Sequence, residues 1–217
     1  MLRIGVGSFA AEHYLPGVIG KLRKVLQDCQ VETHVCRGHE RILGTARGAY
    51  DLSIVTHDRS QIRQMLGDQR ISENALHIEL LGRHPMSVLA RKDSDAGIQL
   101  AQFAEDQIVP LKHLSQWELI GPDRQSGLRR QLEQRLRTKS LYFAVEGGGW
   151  SAAKQFALHG LGVAIVPQAT ITEADQKKMI HRRLSPDFDR TDFLLFRSDE
   201  SSDVVLQAKN AFAQELG

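Results

Sequence analysis

Glycines and small polar residues end two of the apolar runs in this sequence, a pattern typical of a binding site for a small polar molecule. Gly7, Ser8 and Phe9 follow the first run, and Thr56 and His57 follow a later one. Gly7 permits close approach of a ligand to the backbone, and hydroxyl and imidazole groups can donate or accept hydrogen bonds. A turn-capping role explains Ser8 equally well, and a loop histidine is usually a plain surface residue. These five residues are the first candidates for ligand contact.

A second group of candidates follows two short apolar runs in the later part of the chain. Amides in the glycine run 147–149 could cradle an anion, although a plain connecting turn fits that run equally well. Ser126 or Asp123 also fits the N-cap of the helix that follows. The candidates in this group are Gly121, Gln125, Ser126, Glu146, Gly147 and Gly148.

Sequence motifs for catalysis are missing. The chain contains no G-x-S-x-G, no P-loop and no H-E-x-x-H, and its Gly5-Val6-Gly7 is not completed to G-x-G-x-x-G because position 10 is alanine. His57 and Glu146 are the only nominees for an acid or base. We therefore predict no catalytic residues and no cofactor.

Four potential metal ligands lie near one another in the sequence: Cys29, His34, Cys36 and His39. His34 and Cys36 would share one face of a strand, so two ligands could converge there. Cys29, however, belongs to the apolar stripe of the preceding helix, and no paired C-x-x-C is present. We predict no metal site.

The strongest local charge bias lies on a predicted helix in the second half of the chain. Leu128, Leu132 and Leu136 form its buried stripe, so the basic residues are expected to point outward as a solvated face. A patch that faces DNA or another anion is the alternative. The basic residues are Arg124, Arg129, Arg130, Arg135, Arg137 and Lys139, against Glu133 alone.

The overall composition is that of a globular protein without a membrane span. The chain has 217 residues, a formal net charge of +2 and two cysteines. No apolar run approaches the roughly 20 residues that a transmembrane helix needs, and the start does not read as a secretory signal. Few cysteines favour a reducing compartment, and a small net charge disfavours direct binding of nucleic acid. We expect a cytoplasmic protein.

Strands alternate with helices along the chain, which indicates mainly parallel sheets covered by helices. The pattern changes after residue 91 and restarts near Trp117, so two small lobes are more consistent with it than one large domain. Strands are predicted at 2–7, 31–36, 51–56, 75–81, 86–91, 117–120, 142–145, 162–167 and 192–196.

Several of these segments, in this order, resemble the effector-binding domain of LysR-type transcriptional regulators. Each stretch alone is weak, but their order and spacing cover nearly the whole chain. The stretches are LRIGVGS at 2–8 followed by LP at 15–16, GAYDLSI at 48–54, HPM at 84–86, GLGVAIVP at 160–167 and FLLF at 193–196.

This resemblance implies a two-lobed, periplasmic-binding-protein-like fold of type 2, with residues 1–91 and 190–217 in lobe I and residues 92–189 in lobe II. The chain would cross between lobes near 89–92 and 189–193. A small polar, anionic effector would bind in the interlobe cleft at the two groups of candidates above. The first helix and the edge near Cys36 would pack against a second subunit, giving a homodimer or tetramer.

The family's N-terminal winged helix-turn-helix is absent from this sequence, so DNA would be bound only through that missing domain. Two alternatives share the fold: the solute-binding protein of a transporter, and a small two-lobed enzyme such as a dehydratase or deaminase. The missing signal peptide counts against the first. The lack of a catalytic motif counts against the second.

Overall fold

The computed structural model describes residues 1–26, 28–136, 141–147 and 149–216. Three residues discussed above, Arg137, Lys139 and Gly148, lie outside these ranges. The chain divides into two compact units: unit 1 comprises Met1–Gly82 and Thr191–Gly217, and unit 2 comprises Arg83–Arg190.

The strands and helices alternate along most of the chain. In chain order the strands are β1 (Leu2–Val6), β2 (Val31–Val35), β3 (Leu52–Val55), β4 (Leu76–His84), β5 (Met86–Arg91), β6 (Leu119–Gly121), β7 (Phe143–Glu146), β8 (Val163–Pro167), β9 (Met179–Arg183) and β10 (Arg190–Arg197). The helices are α1 (Ser8–His13), α2 (Leu15–Val25), α3 (Gly38–Ala46), α4 (Arg59–Asp68), α5 (Asp95–Leu100), α6 (Gly127–Arg135), α7 (Gly149–Leu158), α8 (Glu173–Lys178) and α9 (Asp203–Leu216). No helix in the described ranges is long and apolar enough to cross a bilayer.

Unit 1 is built on a five-stranded mixed sheet in the order β2-β1-β3-β10-β4. β1 is parallel to both β2 and β3, while β10 runs antiparallel to β3. Leu2, Ile4 and Val6 of β1 are all buried. A cluster that includes Ile42 of α3 and Ile62 of α4 forms one part of the core. Helices therefore cover the sheet, as an apolar parallel strand requires.

Unit 2 is built on a second five-stranded mixed sheet in the order β7-β6-β8-β5-β9. β6 is parallel to β7 and β8, and β5 is antiparallel to β8 and β9. Alternate residues of β5 enter two separate buried clusters, with Val88 in one and Leu89 in the other. This sheet is consequently buried on both faces.

The predicted fold class, two α/β units with mixed sheets flanked by helices, is confirmed. The first boundary between units differs from the predicted one. Met86–Arg91, assigned to lobe I from the sequence, pairs with β8 and β9 in unit 2, so the chain leaves unit 1 after residue 82. The apolar pattern of a strand shows that it is buried but not which sheet buries it. Helix α4 and strand β9 were also absent from the sequence prediction.

Asp51 aligns the start of β3 with β1. Its carboxylate accepts hydrogen bonds from the Arg3 backbone N–H at 2.7 Å and from Arg3 Nη2 at 2.8 Å. Its own backbone N–H donates to the Arg3 carbonyl at 2.9 Å. Burial alone would raise the pKa of Asp51, but the hydrogen bonds and charge of Arg3 outweigh it and hold this pKa below its usual range. The ionised form of Asp51 therefore stabilises the fold more than the protonated form does.

We expect Asp51→Asn to lower the free energy of unfolding by about 1–2 kcal/mol at pH 7, because the charge-assisted hydrogen bonds are weakened. The folded pKa lies below the unfolded value of about 3.9, so the stabilisation is complete well above pH 4 and is lost as the pH falls through the folded pKa. Urea unfolding from pH 3 to 7 measures this. Asp199→Asn is the control, since the side chain of Asp199 is 82% exposed and its pair with Arg197 is worth little. If the free energies of unfolding of the wild type and Asp51→Asn differ by the same amount from pH 3 to pH 7, the Asp51 carboxylate does not have this role.

Gly162 is needed where β8 begins. Its φ is +138°, and a Cβ at this position would overlap the carbonyl oxygen of Glu118, the acceptor for the Val163 N–H. We expect Gly162→Ala to destabilise unit 2 by about 2 kcal/mol or more. Gly20→Ala is the matched control, because Gly20 lies within α2 with open space around it and should gain about 0.5–1 kcal/mol. Thermal unfolding of both variants measures the contrast, and equal effects would refute it.

Candidate ligand-binding site

The first group of candidates meets at one edge of the unit 1 sheet. β1 and β3 are parallel neighbours, so the residues that follow them, Gly7 and Ser8 after β1 and Thr56 and His57 after β3, lie at the same carboxyl edge. Gly7 is the N-cap residue of α1, and no side chain caps that helix. The alternative explanation of Ser8 as a cap is therefore wrong. Ser8 is partly exposed at this edge.

Phe9 contributes to the core beneath this edge. Its side chain is fully buried, with ring centroids 4.7 Å from His13 and 5.9 Å from Tyr14. The ring thereby holds α1 against the start of α2. Its position supports the loop that carries Ser8.

Thr56 and His57 are both buried, so His57 is not a plain surface residue. The His57 ring packs against the first residue of α3, because a Cβ on Gly38 would lie 2.9 Å from His57 Nδ1. The start of α3 consequently joins the edge formed by β1 and β3. Its free backbone N–H groups give that end of the helix a partial positive charge.

Arg41 of α3 is a polar residue at this edge that the sequence reasoning missed. It is 8% exposed, and its side chain runs along β1 past two glycines. A Cβ on Gly5 would lie 3.3 Å from Arg41 Cγ, and a Cβ on Gly7 would lie 2.5 Å from Arg41 Nη1. Only residues without side chains leave room for it. Two glycines spaced two apart at the end of β1, with an arginine on the helix that follows the neighbouring strand β2, are the signal that could have found it.

Neutral hydroxyls hold the helix segment that carries Arg41. Thr45 Oγ1 lies 2.9 Å from the Arg41 carbonyl oxygen and 2.6 Å from Ser53 Oγ. Ser53 is also the cross-strand partner of Gly5. The backbone of Arg41 is thus tied to β3, which limits where its guanidinium can lie.

Asp192 and Tyr14 form a second buried polar pair that sequence reasoning missed. The Tyr14 hydroxyl donates to Asp192 Oδ2 at 2.5 Å. Asp192 directly precedes Phe193, the partner of Val55 in β3, so the pair lies beside Thr56. An ionised carboxylate can only accept hydrogen bonds, and the Tyr14 hydroxyl donates one of them.

Cys36 and Tyr50 interact near the end of β2. The Cys36 sulfur lies 3.6 Å from the Tyr50 hydroxyl, and this hydrogen bond together with burial raises the pKa of Tyr50 to about 12. His34, the neighbouring metal candidate, lies 3.1 Å from a Glu32 oxygen. Among the described positions, no group of three His, Cys, Asp or Glu is arranged to hold a metal ion.

The second group of candidates lies at the carboxyl edge of the unit 2 sheet, where β6 and β7 run in parallel. The Gly147 N–H donates to the Gly121 carbonyl at 3.0 Å, so this amide is committed to the sheet and not to a nest. A Cβ on Gly121 would lie 2.5 Å from the Phe143 ring. Both glycines therefore have structural roles.

Ser126 is the N-cap of α6, as the structural alternative predicted. Its hydroxyl accepts the Arg129 N–H at 3.0 Å. Asp123 Oδ1 accepts the backbone N–H of Gln125 at 2.9 Å, which shapes the loop before the helix. Gln125 is the exposed candidate in this loop.

Arg129 corrects the prediction of an outward-facing row of arginines on α6. It is only 3% exposed and stacks 3.4 Å above the Phe143 ring centroid. Its guanidinium pairs with Glu133 at 2.7 Å and with Glu146 at 3.4 Å. The carboxylate candidate Glu146 is thus part of an ion-pair network that also includes Arg124. An arginine can enter a core when carboxylates and an aromatic face receive it.

The two edges differ in what they offer a ligand. At the unit 2 edge, Ser126, Glu146 and Gly147 are committed to capping, ion pairing and sheet hydrogen bonding. The unit 1 edge combines a hydroxyl, an imidazole, a guanidinium and the start of a helix around one glycine. Such a set can bind a small molecule through hydrogen bonds and favours negative charge on it.

Comparison with known proteins agrees with this architecture. The family model described as the LysR substrate binding domain matches residues 1–216. No curated protein sequence matches the chain.

Solved structures of similar fold include three domains bound to small molecules. The effector binding domain of QuiR in complex with shikimate has a TM-score of 0.74 at 15% identity, with 98% of this chain and 95% of that chain covered. The Synechocystis PCC6803 CcmR regulatory domain in complex with 2-PG has a TM-score of 0.75 at 18% identity, with 98% and 95% covered. The BenM effector binding domain with benzoate has a TM-score of 0.76 at 17% identity, with 98% and 90% covered.

At these identities the solved structures establish the fold alone, whereas the family model spans all but the last residue. The resemblance deduced from the sequence is confirmed. The chain belongs to the LysR substrate-binding domain family, which comprises ligand-sensing regulatory domains of transcriptional regulators and not enzymes.

Proposed function

We propose that this domain senses a small anionic metabolite and that binding of the metabolite controls DNA binding by a separate N-terminal domain of the regulator. One observation carries the proposal: the parallel pairing of β1 with β3 places Ser8 beside Thr56 and His57 at one sheet edge. Ligands of α/β sheets bind at such edges. A ligand shifts the regulator only if it binds one conformation more tightly than the other.

Each unit has its own group of proposed contacts. The group in unit 1 comprises hydrogen-bonding side chains and a glycine backbone, and the group in unit 2 lies in the loops at the ends of β6 and β7. The principal proposed contacts are the glycine and polar candidates at these two sheet edges: Gly7, Ser8, Thr56, His57, Gly121 and Gln125. The other described candidates, Phe9, Ser126, Glu146 and Gly147, support these loops through the contacts given above.

Negative charge on the effector is supported by the surroundings of Gly7. The start of α3 carries the positive end of a helix dipole, and it packs directly against His57. Shikimate and benzoate, which two of the similar domains bind, each carry a carboxylate. We therefore expect carboxylates among the molecules that this domain binds.

A thermal-shift screen of carboxylate and phosphate metabolites tests the site. We expect a stabilising metabolite to bind Ser8→Ala about 3- to 10-fold more weakly than the wild type, since one hydrogen bond is lost. Isothermal titration calorimetry measures the ratio. Ser60→Ala is the control: Ser60 is an exposed residue in the first turn of α4, where its hydroxyl donates to the N-cap Asp58, and the affinity of this variant should equal that of the wild type. Full affinity in Ser8→Ala would rule out this site.

We also propose that the domain acts as a homodimer through the β2 edge of unit 1. β2 is a terminal strand of its sheet, so one side of its backbone is open to another chain. Val35 of β2 is 63% exposed, and Val25 at the end of α2 is 62% exposed. Cys36 follows directly after this strand. Exposed valines at a sheet edge are typical of an interaction surface.

Sedimentation of Val35→Lys tests the dimer. We expect its dissociation constant to rise about tenfold or more, because a lysine would be buried in an apolar contact. Leu80→Lys is the matched control, since Leu80 is 56% exposed on β4, at the opposite end of the same sheet. If Leu80→Lys dissociates the dimer and Val35→Lys does not, the interface lies at the other edge.

A further inference from the structure

We propose that unit 2 binds a small organic cation in a cavity at the amino edge of its sheet, where Asp95 and Glu118 receive the positive charge. The ligand carries an ammonium or guanidinium group on a short apolar stem. The cavity lies at the opposite end of β6 from Gly121, so it is separate from both groups of ligand-binding candidates. The inference does not depend on the proposed function.

The cavity has a volume of about 370 Å³ and lies where β6 and β8 begin. These two strands are parallel, and the lining residues Glu118 and Gly162 directly precede them. The start of α5 forms another part of the lining, through Ser94 and Asp95. A volume of this size lies within the range of small-molecule sites in proteins.

Hydrogen bonds hold the walls of this cavity together. Trp117 Nε1 donates to Gln99 Oε1 at 2.9 Å, which joins the residue before Glu118 to α5. The Glu118 carbonyl accepts the Val163 N–H at 2.8 Å, which joins the start of β6 to the start of β8. Because these walls are already ordered, a ligand loses less binding free energy to the ordering of the protein.

The charge of the lining is negative. Asp95 and Glu118 are exposed carboxylates, and none of the described residues that line the cavity is basic. The Arg91 guanidinium lies close to the lining residue Gly160, but Asp93 pairs with it at 2.5 Å and balances its charge. The two carboxylates therefore favour a cation in the cavity over a neutral or anionic molecule.

Trp117 gives the cavity an aromatic wall. Its side chain is buried but still contributes to the lining. Exposed apolar residues adjoin the lining residues in the chain: Ile98 precedes Gln99, and Leu161 follows Gly160. An aromatic ring attracts an organic cation, and apolar surface suits the carbon stem that carries the charge. This combination matches an organic ammonium or guanidinium better than a metal ion, which requires more oxygen ligands.

The experiment follows the indole Nε1–H signals of the ¹⁵N-labelled domain by NMR during titration with organic cations. The chain has two tryptophans, and Trp150 on α7 is the internal control. Trp150→Phe assigns the two signals. The probes are butylamine, butylguanidine and benzylamine at neutral pH, compared with butanol and benzyl alcohol at an ionic strength matched with sodium chloride. We expect at least one cation to shift the Trp117 signal saturably, without a shift of the Trp150 signal and without an effect of the alcohols.

Matched variants test the two carboxylates. Asp95→Asn and Glu118→Gln should each raise the dissociation constant of that cation about 3- to 10-fold, because one charge-assisted contact is lost at a hydrated site. Glu173→Gln is the control and should bind as the wild type does. Glu173 is an exposed carboxylate in the first turn of α8, as Asp95 is in the first turn of α5, but it does not line the cavity. Circular dichroism checks that the variants fold, and the wild-type titration stands even where a variant does not.

Three results would overturn the inference. The first is that no cation shifts the Trp117 signal saturably, or that the alcohols shift it equally. The second is that Glu173→Gln weakens binding as much as Asp95→Asn and Glu118→Gln do, since the cation would then respond only to the general surface charge. The third is a loss of cation binding in Ser8→Ala, because Ser8 belongs to unit 1 and the cavity to unit 2.

Discussion

The parallel register between β1 and β3 is the constraint on which the unit 1 edge depends. Ile4 pairs with Leu52 and Gly5 with Ser53, and Asp51 holds this alignment through Arg3. A shift by one residue would turn the glycine face of β1 away from α3. The space for Arg41 would then be lost, and Leu2, Ile4 and Val6 would leave their buried positions. Structural stability and the placement of the binding groups thus depend on the same pairing.

The two units use buried arginines in different ways. In unit 2, Arg129 is surrounded by two carboxylates and an aromatic ring, an arrangement that locks α6 to β7. In unit 1, Arg41 fills a channel between a helix and two glycines and presents its charge at a loop. Sequence composition alone does not distinguish these two cases.

Most of the fold could be predicted from the sequence because the signals were local. Short apolar runs indicated most of the strands, and apolar residues spaced three or four apart indicated the helices between them. Ser126 could be named as a helix N-cap because it lies just before Leu128, the first residue of the apolar stripe of α6. The features that were not predicted depend on contacts between residues that are far apart in the sequence. Whether residues 86–91 join the first or second sheet is decided by β8 and β9, whose paired residues lie 75 to 96 positions later in the chain. Arg129 was predicted to face solvent and Arg41 was not singled out, because burial of an arginine depends on the partners that the fold brings to it.

The place of β10 in the unit 1 sheet has a consequence for folding during synthesis. β10 lies between β3 and β4, yet it is made more than 100 residues after them. The ribosome therefore completes the continuous segment Arg83–Arg190 of unit 2 before unit 1 can close its sheet. Until then, the edges of β3 and β4 lack their shared partner, and unpaired edges invite wrong pairings. All five strands of the unit 2 sheet, in contrast, lie within one continuous segment and are made before β10 is complete.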